Sequence, residues 1–299
     1  LAILGAYSVF SGFKYTRMIA NIFMSLVYNP PAEVFSSPRG EKVGILSDSG
    51  LEIQALFCRA QNAKAIVVFC HESGSSKESW EKYAAFLPKN GFDILSVDLH
   101  EEPNSPEKNS LKQWPTNEQV EKVLVAIRWV KKAAKGHQPV ILFGISNGAD
   151  LALAASVKDA AVKAVIADGL FSMKEIFRDY IRKWGPVLVK PNLFGEHYPD
   201  WVVAIFANLG FWYSQKKSGK IFIDIEKILS KKHAPLLMIH GENDDYVPET
   251  HQYFLEKVKC KTSGGHPRLV VPEAGHNQAI VIGREIYEKT ILKFLGTIA

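Results

Sequence analysis

Short runs of consecutive apolar residues recur on both sides of a long aromatic-rich segment. A run of this kind, bounded by glycine, proline or polar residues, is typical of a strand buried on both faces of a parallel sheet. Two segments instead alternate apolar and polar residues around Asp48-Ser49-Gly50, and they predict a β-hairpin over residues 42–46 and 51–57. The continuous runs predict strands over residues 65–69, 92–97, 139–143, 162–166, 235–240 and 268–271.

Segments with helical spacing of apolar residues separate these strands. Residues 101–115 are polar and hold three prolines, so they predict a loop. Strands that alternate with helices favour a parallel sheet with right-handed crossovers. We therefore predict the α/β class, with a mostly parallel eight-stranded sheet flanked by helices. The predicted helices cover residues 79–89 (ended by Asn90-Gly91), 117–134, 249–258 and 280–295, with another directly after Ser146.

The alternation stops between residues 169 and 232, where the chain is rich in Trp, Phe and Tyr. This segment predicts an inserted helical cap. Its aromatic side chains have two interpretations, as the core of the cap itself or as the lining of an apolar acyl pocket. The remainder, residues 32–168 and 233–299, is the predicted catalytic domain.

Residues 1–31 form an apolar N-terminal segment, which Lys14 and Arg17 interrupt. No charge-free run therefore reaches the ~18 to 20 residues that cross a bilayer. A helix that packs on the catalytic domain, or one that lies in a membrane interface, is favoured over a spanning helix. Since the chain begins at Leu1 rather than Met, the tail of a longer anchor is a third interpretation. The predicted location is membrane-associated or otherwise cytoplasmic.

The overall composition argues against several classes of protein. The chain has 299 residues, 47% of them hydrophobic, and a net charge of +5 from dispersed lysines, which is a poor match to a nucleic-acid-binding protein. Three cysteines, Cys58, Cys70 and Cys260, lack metal-ligand spacing and favour neither a disulfide framework nor a zinc site. We expect no nucleic-acid partner and no metal.

Candidate chemistry begins at Gly144-Ile145-Ser146-Asn147-Gly148, which follows a predicted strand and precedes a predicted helix. This context is typical of a nucleophile elbow, a strained turn that exposes the serine hydroxyl at the sheet edge. The N–H of Asn147, at the start of the helix, would point to the same place. The segment thus offers a nucleophile and half of an oxyanion hole.

A serine needs a base, and the base needs an acid that holds its tautomer. Among nine histidines, His276 directly follows the last predicted strand, so we expect it to be the base. His71 and His240 also follow strands, but a structural role is favoured for both. Glu242, Asp244 and Asp245 share one loop after a strand, and the residues alone favour Asp244 over Asp245 only narrowly. The order Ser, Asp, His along the chain agrees with this sheet architecture.

From the hairpin onwards, the sequence resembles the α/β-hydrolase superfamily. The resemblance rests on the Gly-x-Ser-x-Gly elbow, on His240-Gly241-x-x-Asp244-x-x-Val247-Pro248 and on Gly275-His276. It implies that Asp244 is the triad acid and that Ser73 donates the second oxyanion-hole N–H. The chain departs from the family at Glu72, where glycine is usual.

The combined expectation is a serine esterase or lipase-like enzyme that cleaves small-molecule acyl esters through an acyl-serine intermediate, with no cofactor. Two alternatives stay open. One is the same triad acting on a thioester or an amide, as in a depalmitoylase or a peptidase. The other is a hydrolase-like scaffold that only binds a partner.

Overall fold

The computed structural model describes residues 2–25, 39–47, 52–99, 114–133, 138–189, 197–248 and 266–298, and the single residues 50, 195, 250, 251, 255, 257 and 258. Side chains of the first helix are described from residue 12 onwards. The predicted loop over 101–115 and the predicted helix over 249–258 lie mostly outside these residues.

Eight strands form one sheet in the order β1-β2-β4-β3-β5-β6-β7-β8. β2 pairs antiparallel with β1 and with β4, and the other pairs are parallel. The predicted fold class is therefore confirmed, including the hairpin at one edge. The strands are β1 (Glu41–Leu46), β2 (Glu52–Cys58), β3 (Ala65–Cys70), β4 (Phe92–Val97), β5 (Val140–Ile145), β6 (Val162–Asp168), β7 (Leu236–Gly241) and β8 (Arg268–Val271).

Helices cover both faces of the sheet, which is why the central strands read as continuous apolar runs. Successive side chains of a strand point to opposite faces. Val67 accordingly joins an apolar cluster with Tyr287, whereas Val68 joins the cluster on the other face with Val120. The helices are α1 (Ala2–Ser25), α2 (Trp80–Tyr83), α3 (Asn117–Ala133), α4 (Asn147–Ser156), α5 (Met173–Leu188), α6 (Asp200–Ser218), α7 (Ile225–Leu229), α8 (Ala279–Ile282) and α9 (Arg284–Leu295).

The predicted helix over residues 79–89 is wrong as a continuous element. The chain forms a 3₁₀ turn over Lys77–Ser79, the single turn of α2, and a second 3₁₀ turn over Pro88–Asn90. Proline has no N–H to continue the hydrogen-bond ladder, and its ring clashes with the carbonyl four residues earlier. Gly91, in the left-handed conformation with φ of 83°, ends the segment.

The predicted closing helix over residues 280–295 is also wrong as a single element, because it is broken at Gly283 into α8 and α9. A β-carbon at this glycine would lie 2.6 Å from Cγ1 of Val271 in β8. The break lets the backbone pass close against the last strand. A continuous helix with a larger residue there would be pushed away from the sheet.

Between β6 and β7 the chain makes α5, α6 and α7, and α1 packs against α6 and contacts α5 through Phe23. Phe23 of α1 stacks on Trp114 and on Phe177 of α5, with ring centroids 4.1 and 3.7 Å apart. These rings belong to a third apolar cluster, separate from the two that flank the sheet. No helix among the described residues is long and apolar enough to cross a membrane. The division into an N-terminal segment, a catalytic domain and a cap stays a prediction.

Candidate active site

Ser146 occupies a sharp turn between β5 and α4. Its φ of 51° and ψ of −118° lie outside the regions that L-residues normally adopt. Its N–H donates to the carbonyl oxygen of Asp168 at 2.7 Å, which ties the turn to the end of the neighbouring strand β6. A strained residue of this kind persists only where the surroundings hold it, and such residues cluster at functional sites.

The two glycines of the motif are required by close contacts between backbones. A β-carbon at Gly144 would lie 2.1 Å from the carbonyl oxygen of Gly148. One at Gly148 would lie 2.1 Å from the carbonyl oxygen of Cys70 and 2.6 Å from that of His71. Any larger residue would separate α4 from the loop after β3. The glycines therefore bring that loop beside Ser146.

The structure brings Ser146, His276 and Asp244 together in one hydrogen-bonded chain. Ser146 Oγ lies 3.0 Å from His276 Nε2, and His276 Nδ1 lies 2.7 Å from Asp244 Oδ2. The side chains of His276 and Asp244 are only 5% and 2% exposed. The three residues follow β5, β8 and β7, so each is delivered by the carboxyl end of a parallel strand.

Asp244 is held in place through its second carboxylate oxygen. Oδ1 accepts hydrogen bonds from the N–H groups of Tyr246 and Val247, at 2.9 and 2.7 Å. Asp245, which the residues alone could barely separate from Asp244, is exposed. With both oxygens of Asp244 engaged, the carboxylate has one orientation relative to His276. The Tyr246 ring lies 5.0 Å from the imidazole, centroid to centroid.

The two residues expected to form the oxyanion hole, Asn147 and Ser73, are both buried. Glu72, where the family usually has glycine, turns its carboxylate inward. It accepts hydrogen bonds from Ser79 Oγ at 3.0 Å and from Tyr83 OH at 3.4 Å. The left-handed residue of this loop is Gly74, with φ of 78°. The turn therefore does not require a glycine at position 72.

His71 has a structural role, as the sequence favours. Its Nε2 accepts a hydrogen bond from the N–H of Leu99 at 3.1 Å, so Nδ1 carries the proton and donates to the carbonyl oxygen of Glu72 at 2.8 Å. Burial lowers the pKa of His71 to about 4, which keeps the ring neutral. His240 is fully buried at the end of β7.

Sequence reasoning missed a buried pair beside the site, Asp168 and Tyr287. The Tyr287 hydroxyl donates to Asp168 Oδ2 at 2.8 Å. Burial raises the pKa of Asp168 to about 7, although the Tyr287 hydrogen bond and the nearby His276 act in the opposite direction. Asp168 is the last residue of β6, the strand beside the one that delivers Ser146. An acidic residue at the end of that strand was the signal in the sequence that could have pointed to it. Within the described residues, no group of three or more His, Cys, Asp or Glu side chains could hold a metal ion.

Comparison with known proteins establishes the fold. No family model matches the sequence. The uncharacterized protein YfhR of Escherichia coli O157:H7 is 19% identical over 288 residues, which cover 93% of this chain and 89% of YfhR. Among solved structures, the esterase Pf2001 of Pyrococcus furiosus has a TM-score of 0.64 at 18% identity, over 91% of this chain and 98% of that one.

Two further structures agree. Esterase 2 of Thermogutta terrifontis, phosphoramylated by tabun, has a TM-score of 0.62 at 13% identity, over 89% of this chain and 98% of that one. The α/β-hydrolase GrgF of Penicillium sp. sh18 has a TM-score of 0.60 at 16% identity, over 86% of this chain and 98% of that one. The chain therefore has the α/β-hydrolase fold, as its motifs predict.

Proposed function

We propose that the protein is a serine hydrolase that cleaves carboxylic esters through an acyl-serine intermediate. The observation that carries the proposal is the hydrogen-bonded chain from Ser146 through His276 to Asp244. A hydroxyl, an imidazole and a buried carboxylate in this order are the parts needed to activate a weak nucleophile. Neighbours of the same fold that are named esterases support the choice of substrate class.

In the acylation half-reaction, Ser146 Oγ attacks the ester carbonyl carbon while His276 Nε2 accepts its proton. Asp244 stabilises the imidazolium that forms and keeps Nδ1 as the protonated nitrogen. The tetrahedral intermediate collapses, His276 gives the proton to the departing alkoxide, and an alcohol leaves. The acyl group is then bound to Ser146 as an ester.

In the deacylation half-reaction, water replaces the alcohol. His276 takes a proton from water, the hydroxide attacks the acyl carbon, and the proton returns to Ser146 Oγ as the acid is released. In both steps we assign stabilisation of the oxyanion to the N–H groups of Asn147 and Ser73. Removing one such donor from a preorganised site typically lowers kcat by roughly a hundredfold to a thousandfold.

The test is the hydrolysis rate of p-nitrophenyl esters over a short-to-long acyl series, together with labelling by a fluorophosphonate probe. The parent is compared with Ser146→Ala and with Ser156→Ala, a matched control in α4 whose hydroxyl donates only to the Leu153 carbonyl oxygen. We expect turnover and labelling to disappear in Ser146→Ala and to persist in the control. Equal rates and equal labelling in all three proteins would overturn the proposal.

The same variants separate the ester from the alternatives. Acyl-thioesters and aminoacyl amides are assayed beside the p-nitrophenyl series. Faster Ser146-dependent cleavage of either one would change the proposed substrate class to thioesters or amides and would leave the assignment of the triad unchanged. A parent that neither reacts with the probe nor turns over any of the three classes would favour the binding-protein alternative.

A further inference from the structure

An apolar groove of about 210 Å³, open to solvent, runs between α1 and the second half of α5. Residues that line it remain partly exposed, including Ile22 at 37%, Trp184 at 43% and Leu188 at 38%. Apolar side chains arranged around an open concave surface usually mark a binding site in a monomeric protein. The walls include Met18, Ile19 and Ile22 of α1 and Ile181, Trp184 and Leu188 of α5.

The two helices that line this groove, together with the adjoining α6, carry the net positive charge of the molecule. α1 has two cations and no carboxylate, α5 has four cations against two carboxylates, and the adjoining α6 has two lysines against one aspartate. The three helices therefore sum to +5, which equals the formal charge of the whole chain. The rest of the protein is neutral on balance.

Three of the cations on the two helices that line the groove are exposed: Lys14 and Arg17 on α1 and Lys183 on α5. None of the three forms an ion pair with a carboxylate among the described residues. Lys183 Nζ lies 5.6 Å from the centroid of the Trp184 ring, so a cation and an amphipathic ring share the rim. Trp and Lys at the border of an apolar surface are typical of proteins that meet the headgroup region of a bilayer.

We propose that the α1–α5 face docks on an anionic phospholipid bilayer. Lys14, Arg17 and Lys183 contact the phosphate-bearing headgroups, and one acyl chain enters the groove beside Trp184. The proposal concerns a surface of the protein and is independent of the reaction at Ser146.

The positive charge of the α1–α5 face favours a bilayer over a second copy of this chain as its occupant. A second copy would place the same excess of cations against the first, and repulsion would oppose the pairing. An anionic lipid surface instead attracts each Lys or Arg near it, and each strengthens binding about fivefold. The groove walls are almost wholly apolar, which suits a hydrocarbon chain rather than a peptide, whose backbone groups would lose their hydrogen bonds.

The first test is co-sedimentation with vesicles of phosphatidylcholine, alone or mixed with phosphatidylglycerol. We expect binding to the mixed vesicles only, weaker at high salt. Neutralising Lys14, Arg17 and Lys183 to glutamine should weaken it roughly a hundredfold. The matched control neutralises Lys89, Lys289 and Lys293, which are also exposed but lie outside α1, α5 and α6, and should bind like the parent.

The second test addresses the groove. Ile22→Ser with Leu188→Ser should weaken vesicle binding, whereas Ile282→Ser with Ile286→Ser, at two exposed positions on α8 and α9, should not. Lipids brominated in their acyl chains should quench the fluorescence of the parent more than that of Trp184→Phe. Circular dichroism checks that each variant is folded.

The outcomes are distinct. Equal binding to neutral and anionic vesicles, equal losses of binding in the two sets of neutralised cations, or quenching that is unchanged in Trp184→Phe would each overturn the proposal. A dimer in sedimentation analysis that the Ile22 and Leu188 changes dissociate would also overturn it, in favour of a second copy. Ser146→Ala should bind vesicles like the parent, so failure of the proposed esterase activity leaves this result unaffected.

Discussion

The carboxyl group of Asp168 should make the free energy of unfolding depend on pH in a way that one substitution removes. The group is fully buried against Tyr287, and burial raises its pKa from 3.8 to about 7. Between these values the folded protein holds a proton that the unfolded chain has released. The stability from this proton is therefore complete below about pH 4 and is lost as the pH rises through about 7.

The size of the effect follows from the shift in pKa. A difference of about three pKa units corresponds to a change on the order of 4 kcal/mol, because each unit corresponds to about 1.4 kcal/mol. In Asp168→Asn the side chain no longer titrates, while its amide oxygen can still accept the Tyr287 hydrogen bond. We expect the stability of the parent, relative to Asp168→Asn, to fall by this amount between pH 4 and pH 8.

The assay is urea unfolding, followed by tryptophan fluorescence, of both proteins over this pH range. Taking the difference at each pH cancels other titrating groups, including His71, whose lowered pKa acts in the opposite direction. Glu121→Gln is the control, because this carboxylate is 59% exposed in a surface ion pair with Lys158. Its loss should change the free energy of unfolding by less than about 1 kcal/mol. A parent-minus-variant difference that stays constant from pH 4 to pH 8 would refute the reasoning.

Three further substitutions have defined outcomes. Gly148→Ala places a β-carbon 2.1 Å from the Cys70 carbonyl oxygen and should lower the free energy of unfolding in urea by about 3 kcal/mol; Gly12→Ala, with nothing within 4 Å, should not. Asp244→Asn should reduce kcat about 10⁴-fold on the best ester and leave the circular dichroism unchanged; near-parental turnover would contradict the role given to this carboxylate. Phe23→Ala removes a ring stacked on two others and should lower the free energy of unfolding in urea by about 3 to 5 kcal/mol. A decrease of less than about 1 kcal/mol would mean that α1 contributes little to the stability of the folded state.

The strands were predictable from sequence because the sheet is covered on both sides. Val140–Ile145 has no exposed residue, so the run holds no polar side chain and its ends are marked by Pro139 and Ser146. In the antiparallel hairpin, β2 shows the alternation expected of a strand with one solvated face over its first four residues, 52–55, and is buried on both faces from there to Phe57. In both cases the position of a residue within its own strand decides whether it is buried, so the local pattern of apolar and polar residues is enough to predict the strand.

The breaks in two helices were not predictable because their causes lie in distant residues. Gly283 could have sat inside a helix at a modest cost, and only the closeness of Val271 shows why the helix stops there. The turns around α2 bury Trp80, Tyr83 and Leu87 in one cluster, an arrangement that periodicity cannot distinguish from a regular helix. Tertiary packing outweighed local preference at both places.

At the candidate site, sequence order and strand position were enough to nominate Ser146 and His276. Choosing Asp244 over its neighbour Asp245 needed the family resemblance, and the structure shows which carboxylate faces the imidazole. The position of Asp168 at the end of a strand was visible, but its pairing with Tyr287 was not predictable, because the two residues are 119 positions apart and neither belongs to a motif. Pairs that are joined only by folding leave no local pattern.

The spacing of the site along the chain has a consequence for biosynthesis. Ser146 and His276 are 130 positions apart, and β8, which delivers His276, is the last of the described strands along the chain and lies at the outer edge of the sheet. A nascent chain can therefore form the strained serine turn, but it has no histidine to contact until translation has passed residue 276. Under the proposed function, a product that is truncated or stalled before residue 276 stays inert even when most of its sheet has formed.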